Sequence, residues 1–123
     1  LDQTGFKGDT VKKIEAIIRP EKFDSVKKAL EQAGYTGVTL TEVEGHGKQK
    51  GLSQQFRGWK YKVEFLPKLK LEIVAPSGDI EKLVKAIMVS ASTGQVGDGK
   101  IFVYNIEEAY RISSGEAGDT AVS

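Results

Sequence analysis

The chain has 123 residues, 39% of them hydrophobic and 28% charged, which suits one soluble globular domain with a single core. Lys and Arg number 18 against 17 Asp and Glu, and a net charge of +1 argues against bulk electrostatic capture of nucleic acid. With no Cys there is no disulfide, cysteine zinc site or thiol chemistry, a cytoplasmic setting is expected, and no apolar run reaches the ~18 residues of a membrane-spanning helix.

Leu1 to Thr10 (LDQTGFKGDT) is polar and glycine-containing, without the apolar stretch of a signal peptide. It is expected to be a disordered leader or a cloning remnant, and the domain proper begins at Val11. Val11 to Arg19 (VKKIEAIIR) alternates in part, with Ile14, Ala16 and Ile18 on one face, and predicts a strand. Pro20 blocks further pairing and leads into a helix whose Phe23, Val26, Leu30 and Ala33 form one apolar stripe ending at Gly34. A second strand is expected from about Thr36 to Glu44.

After a long loop, a strand runs from about Tyr61 to Ala75. Pro76-Ser77-Gly78 turns the chain, and Asp79 is expected to cap a helix with Ile80, Leu83, Val84, Ile87, Met88 and Ala91 on one stripe. Ile101 to Ile106 (IFVYNI) closes the pattern, and residues 119–123 are expected to be a flexible tail.

The two series repeat. Lys13-Ile14-Glu15 returns as Lys70-Leu71-Glu72, and at the same offset Val26-Lys27-Lys28-Ala29-Leu30 returns as Leu83-Val84-Lys85-Ala86-Ile87. Two strand–helix–strand units in tandem predict an α+β fold, a ferredoxin-like duplicated βαβ sandwich of four antiparallel strands with both helices on one face. The other face, with Phe65, Phe102 or Tyr104 as candidates, then needs a partner, and self-association supplies one economically.

The repeat leaves two stretches unexplained. Ser92 to Lys100 (STGQVGDGK) and Gly45 to Lys60 (GHGKQKGLSQQFRGWK) both exceed the ~4–6 residues of ordinary connections. In the shorter one, Gly94, Gly97 and Gly99 let the backbone approach a ligand and aim N–H groups at an anion, while Thr93, Asp98 and Lys100 add a hydroxyl, a carboxylate and a cation. Phosphate binding and a plain flexible turn both fit these residues. The longer stretch sets Gly45, Gly47 and Gly51 among Lys48, Gln49 and Lys50, with Arg57, Trp59 and Tyr61 beyond. Two basic glycine loops at one end of a duplicated sandwich suit a polyphosphate.

VKKIEAIIRP, GVTLTEVEG, FLPKLKLEIV and above all TGQVGDGKIFV (Thr93 to Val103) resemble the PII signal-transduction family, the GlnB/GlnK-type nitrogen regulators, over Val11 to Gly118. The resemblance implies a single domain (11–118), with a T-loop at about 46–61 and a nucleotide loop at about 92–100. It implies a homotrimer binding ATP or ADP between subunits, and no enzymatic activity. Carried over by residue, Gly97, Asp98, Gly99 and Lys100 contact phosphates, with Lys48 and Arg111 adding charge. Thr39, Gly45, Gly47, Glu72, Val74 and Thr93 surround base and ribose. Gln49 bridges Mg²⁺ and 2-oxoglutarate, and Lys68 pairs with a 2-oxoglutarate carboxylate. The T-loop would dock on targets such as an ammonium transporter or a nitrogen-metabolism enzyme, through contacts including Arg57 and Trp59. The protein would thus meet a membrane only through a transporter.

The chain departs from the family pattern where output is decided. Phe56-Arg57-Gly58-Trp59-Lys60 replaces the usual tyrosine-containing stretch before Tyr61, which aligns with a nucleotidylated tyrosine but also reads as a strand-start aromatic. His46 stands for a common Phe, Lys48 for a usual Arg with its bidentate fork, and Ser113 for a phosphate-facing Arg. These departures define the alternative, a divergent adenine-nucleotide sensor that ignores 2-oxoglutarate and controls another transporter or enzyme. Two other classes fit less well. His46, the single His, has no orienting acid in sequence that would make it the catalytic His of a nucleoside diphosphate kinase. Lys100-Ile101-Phe102-Val103-Tyr104 resembles an RNA-recognition strand only loosely.

Overall fold

The computed structural model describes residues 10–50 and 61–122, and for 46–50, 61–65 and 119 the backbone alone. Arg57 and Trp59, the side chains of Lys48, Gln49 and Tyr61, and residues 1–9 of the expected leader lie outside the described residues. Thr10 is described, and its carbonyl accepts the Ser77 N–H at 2.9 Å.

Strand β1 spans Val11–Ile18, and its β-branched alternation puts Ile14, Ala16 and Ile18 under the helices, all nearly inaccessible to solvent. Helix α1 (Phe23–Gln32) follows a 3-10 turn, Pro20–Lys22, in which Pro20 takes the first position where its missing N–H costs nothing. Val26 and Leu30 are its buried stripe. It ends in a Schellman arrangement: Gly34, at φ +93°, donates to the Glu31 carbonyl, and Tyr35 donates to Leu30.

Strand β2 (Thr39–Lys50) and strand β3 (Tyr61–Pro76) pair antiparallel from Thr39↔Glu72 to Lys50↔Tyr61. The ladder therefore runs past Glu44, where the expected strand stops. The glycines at 45 and 47 are accommodated in register, opposite Leu66 and Glu64 of β3. Helix α2 (Ile80–Ala91) follows the 3-10 turn Ser77–Asp79, and strand β4 (Gly99–Ile106) closes the sheet. Residues 119–122 form one helical turn, α3 (Asp119–Val122).

The strand order is β2-β3-β1-β4, all antiparallel, with α1 and α2 packed together on one face: the ferredoxin-like sandwich the repeat predicts. The duplication is visible in the register, since the repeated strands are the two central ones and pair directly, Ile14↔Ile73 and Ala16↔Leu71. These residues meet Val26, Leu30, Leu83 and Ile87 in one core, each large aliphatic contributing about 1.5–3 kcal/mol on full burial.

Details of α2 differ from the sequence reading. Asp79 does not cap it: the residue has helical backbone angles, its side chain makes no capping bond, and its carboxylate accepts the Tyr35 hydroxyl at 2.5 Å. Met88 leaves the stripe. Ile80, Leu83, Ile87 and Ala91 define the buried side, and Met88, turned about 100° from Ile87, is 54% exposed.

The open face is polar as well as aromatic. Register places Glu15 directly opposite Glu72, a like-charge pairing relieved by Lys13, whose ammonium lies 3.1 Å from the Glu72 carboxylate. Lys13 also stands 5.0 Å over the Tyr104 ring. Phe102 and Tyr104, both more than two-fifths exposed, share this face. The third candidate there, Phe65, has a side chain outside the described residues.

Candidate functional site

The loop from Ser92 to Asp98 is organised by one carboxylate. Asp98 accepts the Thr93 N–H at 2.7 Å, the Thr93 hydroxyl at 2.5 Å, the Gly94 N–H at 2.9 Å and the Arg19 Nε–H at 3.0 Å. The Thr93 hydroxyl and N–H, helped by Arg19 and Gly94 against partial burial, hold its carboxyl well below the usual carboxylate range. Asp98 is therefore committed to its own loop, from which the Val96 side chain stands out, 89% exposed.

Two cations from elsewhere in the fold pin the next carbonyls. Arg19 Nη2 donates to the Val96 carbonyl at 2.9 Å, and Lys68 Nζ donates to the Gly97 carbonyl at 2.6 Å. Among the described residues Lys68 is the buried charged one, 9% exposed, and it reaches the loop because Gly45 leaves room for its stem: a Cβ there would lie 2.9 Å from Lys68 Cγ. Gly99 is equally constrained. At φ +112° its absent Cβ would fall 1.7 Å from the Ile17 carbonyl oxygen, so only glycine permits β4 to begin against β1.

Beside this loop a groove of about 670 Å³ opens between α2 and β4. Met88, Val89, Ile101 and Val103 make its walls apolar, and Asp98, Gly99 and Lys100 close one end. An apolar slot ending in a glycine loop and a lysine is the kind of lining that takes a flat ring at one end and anionic groups at the other.

The remaining sequence-predicted residues fall into separate groups. Thr93, Gly97, Asp98, Gly99 and Lys100 come together, with Lys68 and Gly45 behind them. Thr39, Glu72 and Val74 share the open face: Thr39 pairs with Glu72, and Val74 with Lys13. Lys100 pairs with Ile17, so Glu72 and Val74 lie two strands over and two and four residues along, roughly 12–17 Å away. Arg111 is in the C-terminal turn, where its Nε lies 3.1 Å from the Glu116 carboxylate. Gly47 pairs through its backbone with Glu64.

Arg19 is the residue that sequence reasoning missed. Its signal was its position: Ile18↔Gly99 pairing makes the residue after β1 a neighbour of the residue before β4, so Arg19 must meet Asp98 once the register is known. Among the described residues no group of three or more His, Cys, Asp or Glu side chains could hold a metal ion, and no helix is long and apolar enough to cross a membrane.

The family model described as "Nitrogen regulatory protein P-II" matches residues 11–116. The nitrogen regulatory protein P-II of Rhodospirillum rubrum is 53% identical over 112 residues, covering 91% of this chain and all of that one. Nitrogen regulatory protein P-II 1 of Escherichia coli is 49% identical over the same shares. Among solved structures, the B. subtilis GlnK–ATP complex superposes with a TM-score of 0.75 at 33% identity, covering 91% of this chain and 95% of that one. Arabidopsis thaliana PII bound to citrate also gives 0.75, at 34% identity over 94% and 92%.

Proposed function

We propose, for a chain that belongs to the nitrogen regulatory protein P-II family, that it binds ATP or ADP without turning it over and passes the state of that site to target proteins through the segment between β2 and β3. The observation that carries this reading is the Asp98-centred loop, which ties Thr93 and Gly94 to Asp98 and presents the glycine backbone around Gly97 and the Lys100 cation to phosphates. The B. subtilis relative that superposes on this chain was solved with ATP, which supports the ligand class.

The separation of the two residue groups supports binding between copies. Thr39, Glu72 and Val74 stand apart from Lys100 on a face that one chain leaves open, and a neighbour covering that face would bring one copy's group against the other's. In a homotrimer each cleft would then draw phosphate contacts from one subunit, with Lys48, and base or ribose contacts, or the Arg111 charge, from the next.

Lys68 would be the carboxylate-facing cation for 2-oxoglutarate, and the citrate in the Arabidopsis relative supports an acidic small molecule in this family. Mg²⁺ would come with the nucleotide, since it keeps phosphate and water ligands readily and needs from the protein only an oxygen such as that of Gln49. One observation favours the alternative of a nucleotide sensor indifferent to 2-oxoglutarate: Lys68 is already engaged by the Gly97 carbonyl, which an arriving carboxylate must displace.

Calorimetric titration of ATP and ADP with Mg²⁺, with and without 2-oxoglutarate, tests the proposal, and native mass spectrometry gives the assembly. Micromolar or tighter ATP binding that strengthens with 2-oxoglutarate is expected. Binding unchanged by 2-oxoglutarate would leave the alternative, and no nucleotide binding would remove both.

A further inference from the structure

We infer that Arg19 is the positioning residue of the nucleotide loop, setting its shape before any ligand arrives. This rests on the nucleotide reading above. Arg19 sits immediately after β1, on backbone fixed by the Ile18↔Gly99 pair, and its guanidinium makes two bonds to the same loop. One goes to the Asp98 carboxylate, the hub that gathers Thr93 and Gly94. The other goes to the Val96 carbonyl, two residues before Asp98 in the same loop.

A single rigid fork thus sets the spacing between Val96 and Asp98, whose carboxylate in turn holds Thr93 and Gly94. A lysine, with one point of charge, would satisfy one of these acceptors at a time. The ion pair is also partly shielded, with side chains 25% and 22% exposed, so it escapes much of the screening that makes surface pairs weak. Gly97 completes the arrangement: a Cβ there would stand 3.3 Å from Arg19 Nη2, so that the guanidinium would have to give by a few tenths of an ångström. With Thr93, Gly94, Val96 and Gly97 held by side chains, the shape of the loop is set before anything occupies the mouth of the groove.

The experiment uses the full chain and the variants R19M and R19K. ATP, ADP and adenosine are titrated into each, and amide exchange at Thr93 and Gly94 is followed in the nucleotide-free proteins. For R19M the expected result is an affinity for ATP and ADP about tenfold lower, the size of one lost charge-assisted hydrogen bond. Adenosine, which has no phosphate to place, should change by less than about twofold. Exchange at Thr93 and Gly94 should quicken, and R19K should fall between wild type and R19M on both readouts.

A loss of ATP affinity with loop exchange unchanged would overturn the inference, because it would make Arg19 a direct phosphate ligand. Equal losses for adenosine and ATP would also overturn it, in favour of a general structural role. If the wild-type chain binds neither ATP nor ADP, the nucleotide reading fails by itself. The exchange rates then decide whether Arg19 orders the loop, and unchanged rates in R19M would reject that as well.

Discussion

The loop that leaves α1 and the loop that leaves α2 hold equivalent places in the two repeated units, yet they are built on different principles. Residues 33–38 are closed by backbone. Gly34 and Tyr35 donate to the helix's last carbonyls, and the space around Gly34 is empty. Residues 92–98 are closed by side chains, with one carboxylate taking donors from Thr93, Gly94 and Arg19. A backbone-closed loop depends on no single side chain. A loop gathered on one carboxylate has its shape fixed by side chains, and it fails when that carboxylate is altered, which suits a ligand cradle better than a connector.

Glycine to alanine substitutions give the sharpest contrast between the two. G99A combines a left-handed φ with a Cβ driven into the Ile17 carbonyl, and should cost about 3–5 kcal/mol in chemical denaturation, enough to leave little folded protein. G34A carries a similar φ with nothing within 4 Å of the new Cβ, and should cost only about 1–2 kcal/mol. Comparable losses for the two would mean that β4 can shift away from β1, and that the second loop is no more constrained than the first.

D98N comes next and tests the hub directly. The amide turns one acceptor into a donor facing Thr93, Gly94 or Arg19, so the loop must rearrange, and ATP affinity should fall about tenfold or more. The pH dependence has a definite sign. The folded carboxyl is held below its unfolded value of about 3.9, so its contribution is complete above that value and is lost as pH falls through the lower folded one. Protection of the Thr93 and Gly94 amides should therefore stay flat from pH 7 to about 4, and carbon NMR of the Asp98 carboxyl should show no titration over that range. A midpoint near the ordinary carboxylate value would show that the hub is not formed in solution.

Much of this contrast could be read in the sequence, and what could not has identifiable causes. The strand at Val11, both helices and the pairing implied by the Lys13 and Lys70 repeats follow from apolar period and self-similarity, which survive any tertiary context. The glycines at 94, 97 and 99 marked the second loop. Asp79 looked like a cap because its residue type is a good one. The Ser77–Asp79 turn gives it helical backbone angles, however, and its carboxylate goes to Tyr35 instead. Met88 was assigned to the stripe because an apolar residue one step past the edge of a helical face cannot be told from one on it without knowing what lies opposite. The β2 ladder outlasted the glycines that seemed to end it, since propensity yields to a partner strand in register. Arg19 was invisible because its meaning depends on a residue far along the chain, and only the β1–β4 register brings the two together.

The smallest effect belongs to the first loop, and it asks whether Tyr35 is more than decoration there. Its hydroxyl donates to Asp79 across the two units, joining the end of α1 to the start of α2. Y35F removes that bond while keeping the ring, and should cost about 1 kcal/mol. The pH signature separates the bond from ring packing. Partial burial, then the bond to Asp79, pushes the Tyr35 phenol up to about 12, so the folded state keeps a proton that the unfolded chain releases near pH 10. Its contribution is complete below pH 10 and is lost as pH rises toward about 12. Lysines titrate in the same range, so the quantity to follow is the difference between wild type and Y35F in denaturation midpoint from pH 8 to 12. That difference should shrink as pH rises, since phenylalanine has no proton to lose. A constant difference would assign Tyr35 to packing alone, and the two units would then be joined only by their shared core.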